Sequence, residues 1–312
     1  MSETDADAII GINWGSSNLR AYRIAADGRV LDALEAPAGV TTLAREGMVE
    51  IANRVRARWP DAIRAYAAGM IGSNVGWIDA GYVDCPAGIE ALSRKLALTR
   101  IGELDLHIVP GLACVRERDA APDIMRGEET ELFGLFASGQ LGDAPVVALP
   151  GTHTKWVRLR EGSVTEFMTA MSGEIFDRLT TAGLLTSIVE GPGSDGPAFR
   201  EGVRLGASRT LGLGTQLFGA RARVIRGALD RADAGAWLRG LLIGAEIADA
   251  RELFAETGSS AIPLVGSAPV CALYRAALET LDLDSRVTAS ADAVTRGFAE
   301  LDALLRRSVL FV

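Results

Sequence analysis

Lysine, histidine and cysteine are all scarce in this 312-residue chain, and each scarcity closes off a chemistry. The three cysteines, Cys85, Cys114 and Cys271, are odd in number and far apart, with neither metal-ligand nor redox-motif spacing. No disulfide framework and no zinc site is expected. Two histidines, His107 and His153, exclude a multi-histidine metal centre and leave a serine hydrolase triad only these two to draw on. His107 lies in the apolar run 106–109 and reads as a packed or edge-strand residue. Of 32 basic residues only Lys95 and Lys155 are lysines, and Lys95 falls in a polar, helix-like stretch from Leu92 to Leu98. That singles out Lys155. A basic field is missing too: 32 basic residues against 40 acidic ones leave −8, so neither nucleic acid nor an anionic membrane surface is an expected partner. Apolar stretches such as Trp237 to Ala250 are broken by Arg239 and Glu246 before the ~20 residues of a membrane span. The segment Met1 to Asp7 carries three acids and no base, the opposite of a secretory or mitochondrial leader, and points to the cytoplasm.

What the chain does have is 48% hydrophobic residues, enough to bury real cores over about two ordinary domains. No self-similar period of 20 to 50 residues is visible, which sets solenoids and propellers aside. Apolar runs at Ala8 to Asn13, Leu19 to Ile24 and Val30 to Glu35 read as three strands, the last two joined by the hairpin signal Asp27-Gly28. Met48, Ile51, Val55 and Trp59 recur at helical spacing, Arg64 to Met70 reads as a strand, Ile89 to Leu98 as a helix, and Leu106 to Val109 as a strand. The second half opens alike, with strands at Pro145 to Leu149, Lys155 to Leu159 and Ser163 to Thr169. Helical stretches follow near 173–182, 198–209, 215–229 and 234–254, then a strand at Ala261 to Val265, a helix at Val270 to Thr280 and a terminal helix from Ala291 to Arg306. The expectation is an α/β fold of two duplicated β-β-β-α-β-α-β domains, 1–140 and 141–290, with the segment 291–312 packed back on the first. Active sites favour the cleft between such halves.

Each half places a Gly/Ser/Thr turn after its first strand: Gly15-Ser16-Ser17-Asn18 and Gly151-Thr152-His153-Thr154. A turn of this composition can aim several N–H groups and hydroxyls at one anion. Either alone is an ordinary hairpin turn. Their recurrence, with Lys155 following the second in a lysine-poor chain, suggests a clamp on polyphosphate. It is no Walker loop, because the Gly-x-x-x-x-Gly-Lys-Ser/Thr run is absent, and no Rossmann fingerprint, because the first turn leads into a strand.

The run from Asn13 to Ala21 resembles the first phosphate motif of the sugar kinase, actin and heat-shock ATPase superfamily, and more closely the 2-dehydro-3-deoxygalactonokinase family. Similar to that family, in its order, are the segments 69–77, 125–130, 150–156 and 240–246. The resemblance implies two actin-like (ribonuclease H-like) domains. It also implies ATP- and magnesium-dependent phosphorylation of the terminal hydroxyl of a six-carbon 2-keto-3-deoxy sugar acid, in galactonate breakdown. By position, Gly15 to Asn18 and Gly151 to Thr154 would hold the ATP phosphates beside Lys155. Gly266 and Ser267 would pack the adenosine, and Ser73, Asn74 and Trp77 would face the sugar acid. A homo-oligomer is compatible with these features. Aromatic residues are only 6% of the chain, so adenine packing is expected to be aliphatic.

Phosphoryl transfer calls for positioning, a metal and a carboxylate near the attacking hydroxyl. In the superfamily that carboxylate opens a helix before the second turn, where Glu128 and Glu129 stand here. Adjacent helical residues point about 100° apart, so at most one reaches the hydroxyl, with Glu128 preferred and Asp123 third. Two such acids also simply suit a helix N-terminus. Asn13 replaces the superfamily's magnesium-holding Asp, keeping a carbonyl ligand through water but losing the charge. That change admits an alternative reading, a nucleotide- and sugar-acid-binding regulator with weak transfer. Arg20 and Arg126 could balance substrate charge or be structural. Glu174 and Glu246 match family positions and equally suit a helix N-terminus and a half-buried helix.

Overall fold

The computed structural model describes residues 7–191, 193–289 and 292–309. Strands β1 (Ile9–Trp14), β2 (Leu19–Ile24) and β3 (Val30–Ala36) form an antiparallel meander, followed by α1 (Arg45–Arg58), β4 (Ala65–Ala68) and a 3-10 turn at Met70–Gly72. Next come β5 (Tyr82–Asp84), α2 (Ile89–Ser93), β6 (Ala97–Ile101), β7 (Leu104–Ile108), β8 (Gly111–Val115), β9 (Pro122–Met125) and α3 (Glu128–Ala137). The second half runs β10 (Val146–Leu149), β11 (Thr154–Arg160), β12 (Ser163–Ala170), α4 (Ser172–Thr181), α5 (Pro197–Ser208), α6 (Leu213–Ile225) and α7 (Arg231–Leu253). It continues through β13 (Ile262–Val265), α8 (Ala268–Thr280), β14 (Ser285–Thr288) and α9 (Ala293–Val309).

The two main sheets are ordered β3-β2-β1-β4-β7-β6 and β12-β11-β10-β13-β14. In each, the meander is antiparallel and the next two strands join parallel. The β-β-β-α-β-α-β unit therefore occurs twice, as in actin-like folds, with β6 added at one edge of the first sheet. A third sheet, β5-β8-β9, lies between the halves: β8 and β9 contact β12, and one apolar core joins Leu112, Met125 and Leu132 to Val147, Val157 and Phe167.

One expected element needs correction. The helix expected over Ile89 to Leu98 is a single turn ending at Ser93, and Ala97–Ile101 is a strand paired antiparallel to β7. Its alternating exposure, with Leu98 at 71% and Ile101 fully buried, fits an edge strand whose inner face alone meets the core. His107 is consequently in an inner strand, half-buried against Tyr66 with ring centroids 5.1 Å apart. The small sheet β5-β8-β9 and the edge strand β14 were not anticipated. The terminal helix starts at Ala293; Ala291 lies outside the described residues, as do Met1 to Ala6 of the acidic N-terminus and residues 310–312. No helix among the described residues is long and apolar enough to cross a membrane.

Close helix crossings are set by glycine. A methyl group at Gly202 or Gly206 on α5 would overlap the carbonyls of Trp237 and Leu241, and one at Gly240 or Gly244 on α7 those of Phe199 and Val203. The two backbones touch, which fixes where α7 presents Glu246. Gly134 on α3 and Gly297 on α9 meet in the same manner, holding α9 against α3 and β1.

Candidate active site

The first turn leaves the end of β1 with its carbonyls turned inward. Gly15 accepts from the Val40 N–H, Ser17 from the Gly39 N–H, and Ser16 from the Thr41 N–H and hydroxyl. Gly39 has no room for a side chain, because a methyl group there would overlap the Ser16 and Ser17 backbone. The side chains of Ser16, Ser17 and Asn18 are exposed. Segment 38–42, which the sequence did not single out, is thus the brace of this turn; it also accepts the buried Trp14 indole N–H at the Ala38 carbonyl.

The second turn is built differently. Gly151, Thr152 and His153 are exposed, whereas Thr154 and Lys155 are buried at 0% and 6% exposure. Gly173 at the start of α4 sits directly behind the turn, where a methyl group would lie 2.7 Å from the Gly151 carbonyl. The Glu174 N–H donates to the Thr152 carbonyl. His153 Nε2 lies 2.7 Å from Glu174 Oε2, and this partner holds the Glu174 carboxyl below its ordinary range. The Thr154 hydroxyl meets Tyr274 OH at 2.7 Å, and Tyr274 OH in turn lies 2.9 and 3.0 Å from the two oxygens of buried Glu246.

Two cavities flank this turn. One, of about 130 Å³, is lined by Gly151, Thr152, Ser172, Gly173, Phe176, Arg239, Ile243, Val270, Leu273 and Tyr274 among others. The Arg239 guanidinium lies 3.8 Å from the Phe176 ring centroid, and Ile243, Val270 and Leu273 supply the aliphatic part of the wall. Gly266 only backs the Pro150 carbonyl, and neither it nor Ser267 is in that wall; the residues that are come from α4, α7 and the body of α8. Arg239 and Phe176 carried no sequence signal, since an arginine in an apolar helix reads as a surface position.

The other cavity, about 510 Å³, is the cleft between the halves. Met70, Ser73, Asn74, Tyr82 and Arg126 line it from the first half, with Asp123 and Glu128; His153, Lys155, Thr169, Met171 and Glu174 face them from the second. Of the residues expected on the sugar-acid side, Ser73 and Asn74 are in its wall. Trp77 is not: it packs with Met70 on the first core, under the Arg45 guanidinium at 3.9 Å. Arg20 is also elsewhere, 3.2 Å from Glu35 on an exposed surface and beside a separate depression. Asn13 ends β1 half-buried, its amide oxygen close to Gly69, which in turn packs against Gly127 at the head of α3.

The helix α3 separates the two glutamates. Glu128 lines the cleft, half-buried, with Oε2 shut away from solvent and no protein partner. Burial pushes its carboxyl above the ordinary range, opposed by the charge of Lys155 and, more weakly, of His153. Glu129 points into the protein, fully buried, and accepts the Gly127 N–H at 2.7 Å. Burial and then the neighbouring Glu128 push it up to about 8, so it is mostly uncharged at neutral pH. Asp123 is committed: it accepts the Thr169 N–H and hydroxyl at 2.7 Å and Arg116 at 3.0 Å. Lys155 Nζ donates to the same Thr169 hydroxyl at 2.9 Å and is otherwise presented to the cleft.

No group of three or more His, Cys, Asp or Glu among the described residues could cage a metal ion. The Asn13 carbonyl oxygen, beside Gly69, fits a magnesium that arrives on a polyphosphate and keeps most of its water.

The chain is similar to known proteins. The sequence model of the family described as 2-keto-3-deoxy-galactonokinase matches residues 13–301. A Rhizobium meliloti (strain 1021) protein described as a probable 2-dehydro-3-deoxygalactonokinase is 35% identical over 304 residues, covering 95% of this chain and 97% of its own. The 2-dehydro-3-deoxygalactonokinase of Escherichia coli (strain K12) is 34% identical over 293 residues, covering 94% and 96%. A crystal structure from Sinorhizobium meliloti, of a protein assigned to the same activity, superposes with a TM-score of 0.84 at 35% identity over 96% of this chain and 98% of that one.

Proposed function

Because the chain belongs to the 2-keto-3-deoxy-galactonokinase family, and is on that ground a carbohydrate kinase, we propose how its two cavities divide the reaction. The enzyme transfers the terminal phosphoryl group of ATP to the 6-hydroxyl of 2-dehydro-3-deoxy-D-galactonate, giving the 6-phosphate and ADP. The observation that carries the assignment of sites is that one turn, Gly151 to Thr154, separates a small pocket between α4, α7 and α8 from a cleft holding a carboxylate oxygen without a partner and a buried lysine. ATP lies with its adenosine against Ile243, Val270 and Leu273 and its phosphates over the second turn, reaching the cleft beside Lys155. The exposed N–H groups and hydroxyls of Ser16, Ser17 and Asn18 close on the phosphates from the first half. The sugar acid occupies the cleft against Ser73 and Asn74. On this reading residues 1–140 with α9 form the acceptor side and 141–290 the nucleotide side, working on small molecules in the cytoplasm.

Glu128 is the base. The 6-hydroxyl oxygen forms a bond to the γ-phosphorus as the bond from phosphorus to the β,γ-bridging oxygen breaks; the hydroxyl proton passes to Glu128, and the electron pair leaves on ADP. A carboxyl raised by burial is a better proton acceptor than a solvated one, and the Lys155 charge opposes that rise. Lys155 also offsets charge on the transferring oxygens. Magnesium, bound through ATP with the Asn13 carbonyl nearby, would neutralise β- and γ-oxygen charge. Membership of a kinase family favours transfer over the regulator alternative.

The test is ADP release in a coupled assay with magnesium and the galactonate-derived acid. Turnover is expected for the native enzyme, and Glu128→Gln should lower kcat by about 10²- to 10⁴-fold with little change in ATP affinity. A Glu128→Gln enzyme that keeps its kcat would remove Glu128 from this role.

A further inference from the structure

Behind the second turn lies a buried polar relay that the transfer step leaves unused. Glu246, on α7 and 3% exposed, has three hydrogen-bond donors around its two oxygens. The Trp156 indole N–H donates to Oε1 at 2.7 Å, the Ser172 hydroxyl to Oε2, and Tyr274 OH lies within reach of both. Its donors come from three separate elements, β11, α4 and α8. Two of these elements, α4 and α8, also wall the smaller cavity. Tyr274 OH meets Thr154 Oγ1 at 2.7 Å, and Thr154 Oγ1 accepts the Gly151 N–H at 3.3 Å, so the relay ends inside the turn itself.

We propose that Glu246 is a positioning residue for the ATP phosphates, setting the shape of the Gly151–Thr154 turn through Tyr274 and Thr154. The proposal rests on the reading of that turn as the phosphate site. A single proton decides the relay's direction. With Glu246 ionised, Tyr274 donates to the carboxylate and its oxygen accepts the Thr154 hydroxyl, which leaves Thr154 lone pairs for the Gly151 N–H. With Glu246 protonated, the carboxyl must itself donate to Tyr274 or Ser172. When Tyr274 is the acceptor, its proton turns to Thr154 and the Thr154 proton turns to the Gly151 carbonyl, 3.4 Å away. The ionised form therefore ties Thr154 to the Gly151 N–H, and the protonated form draws the Thr154 proton to the Gly151 carbonyl, so the two forms set the turn differently.

The charged surroundings are few. Asp249 on the same helix opposes ionisation of Glu246, and among the described residues Tyr274 is the titratable group hydrogen-bonded to it; Arg239, facing Tyr274, is in turn faced by Asp177 of α4. Burial outweighs the three donors and pushes the Glu246 carboxyl up to about 7, so the relay changes direction in the working pH range.

The experiment compares native enzyme with Glu246→Gln and Tyr274→Phe, measuring KM for ATP and for the sugar acid separately from pH 6 to 8.5. Each substitution should raise KM for ATP about tenfold, equivalent to about 1.4 kcal/mol, and leave KM for the sugar acid within about twofold. In the native enzyme KM for ATP should rise as pH falls through about 7, and Glu246→Gln should lose that limb relative to native. Tyr274→Phe keeps Glu246 supplied by Trp156 and Ser172, so it tests the link even where Glu246→Gln fails to fold. An unchanged KM for ATP in Tyr274→Phe, or equal rises for both substrates, would overturn the proposal. Absence of ATP-dependent turnover in the native enzyme would instead sink the phosphate-site reading on which it rests.

Discussion

The two halves share a strand order and place a small-residue turn at the same point, yet the turns are supported by unlike means. The first is held by backbone groups of segment 38–42, with its side chains left in solvent. The second stands on buried side chains, with Thr154, Tyr274 and Glu246 beneath it, Lys155 beside it and Gly173 pressed against its back. The same topology occurs twice, but the buried lysine stands in the second half. The first half presents a carboxyl to the cleft instead, Glu128 at the head of α3.

That asymmetry predicts a graded series of losses. Lys155→Met should cost most after Glu128→Gln, lowering kcat about 10²- to 10³-fold, because it removes a buried cation that lines the cleft and acts on Glu128. Steady-state kinetics would check it, and a loss under tenfold would put the two turns on an equal footing. Gly39→Ala should weaken ATP binding through the first turn and cost about 1–3 kcal/mol of stability, since the added methyl meets the Ser16 backbone. Calorimetry and urea unfolding report the two effects separately.

The smallest effect concerns pH. Glu129 has a folded-state pKa near 8 against an ordinary value of 4.5, so its folded form holds the proton more tightly. Its contribution to stability is complete below about pH 4.5 and is lost as pH rises toward 8. Unfolding midpoints should fall across that window, and Glu129→Gln should flatten part of the fall, leaving the share due to Glu246.

Much of this arrangement could be read from residues alone. The β1 to β3 meander and its counterpart β10 to β12 alternate cleanly and are punctuated by Asp27-Gly28 and Glu161-Gly162. Lys155 stood out because lysine is otherwise nearly absent. The strand Ala97–Ile101 was hidden because it follows a single helical turn without a break, and its exposed Leu98 mimics a helical apolar position. Strands β5, β8 and β9 are three to five residues long and acquire their apolar partners from the other half, a contact no local window contains. Within the site, the different settings of Glu128 and Glu129 depend on how α3 packs against α9 at Gly134 and Gly297, and the wall of the smaller cavity on Arg239 stacking on Phe176. Both are tertiary facts.

The central claim is that one turn serves two cavities at once. Titration calorimetry with a conjugate joining the 6-oxygen of the sugar acid to the terminal phosphate of ATP tests it directly. Occupying both cavities should bind the conjugate at least about 100-fold more tightly than ATP and exclude both substrates. An affinity equal to that of ATP, or binding that leaves the sugar acid free to enter, would contradict the account.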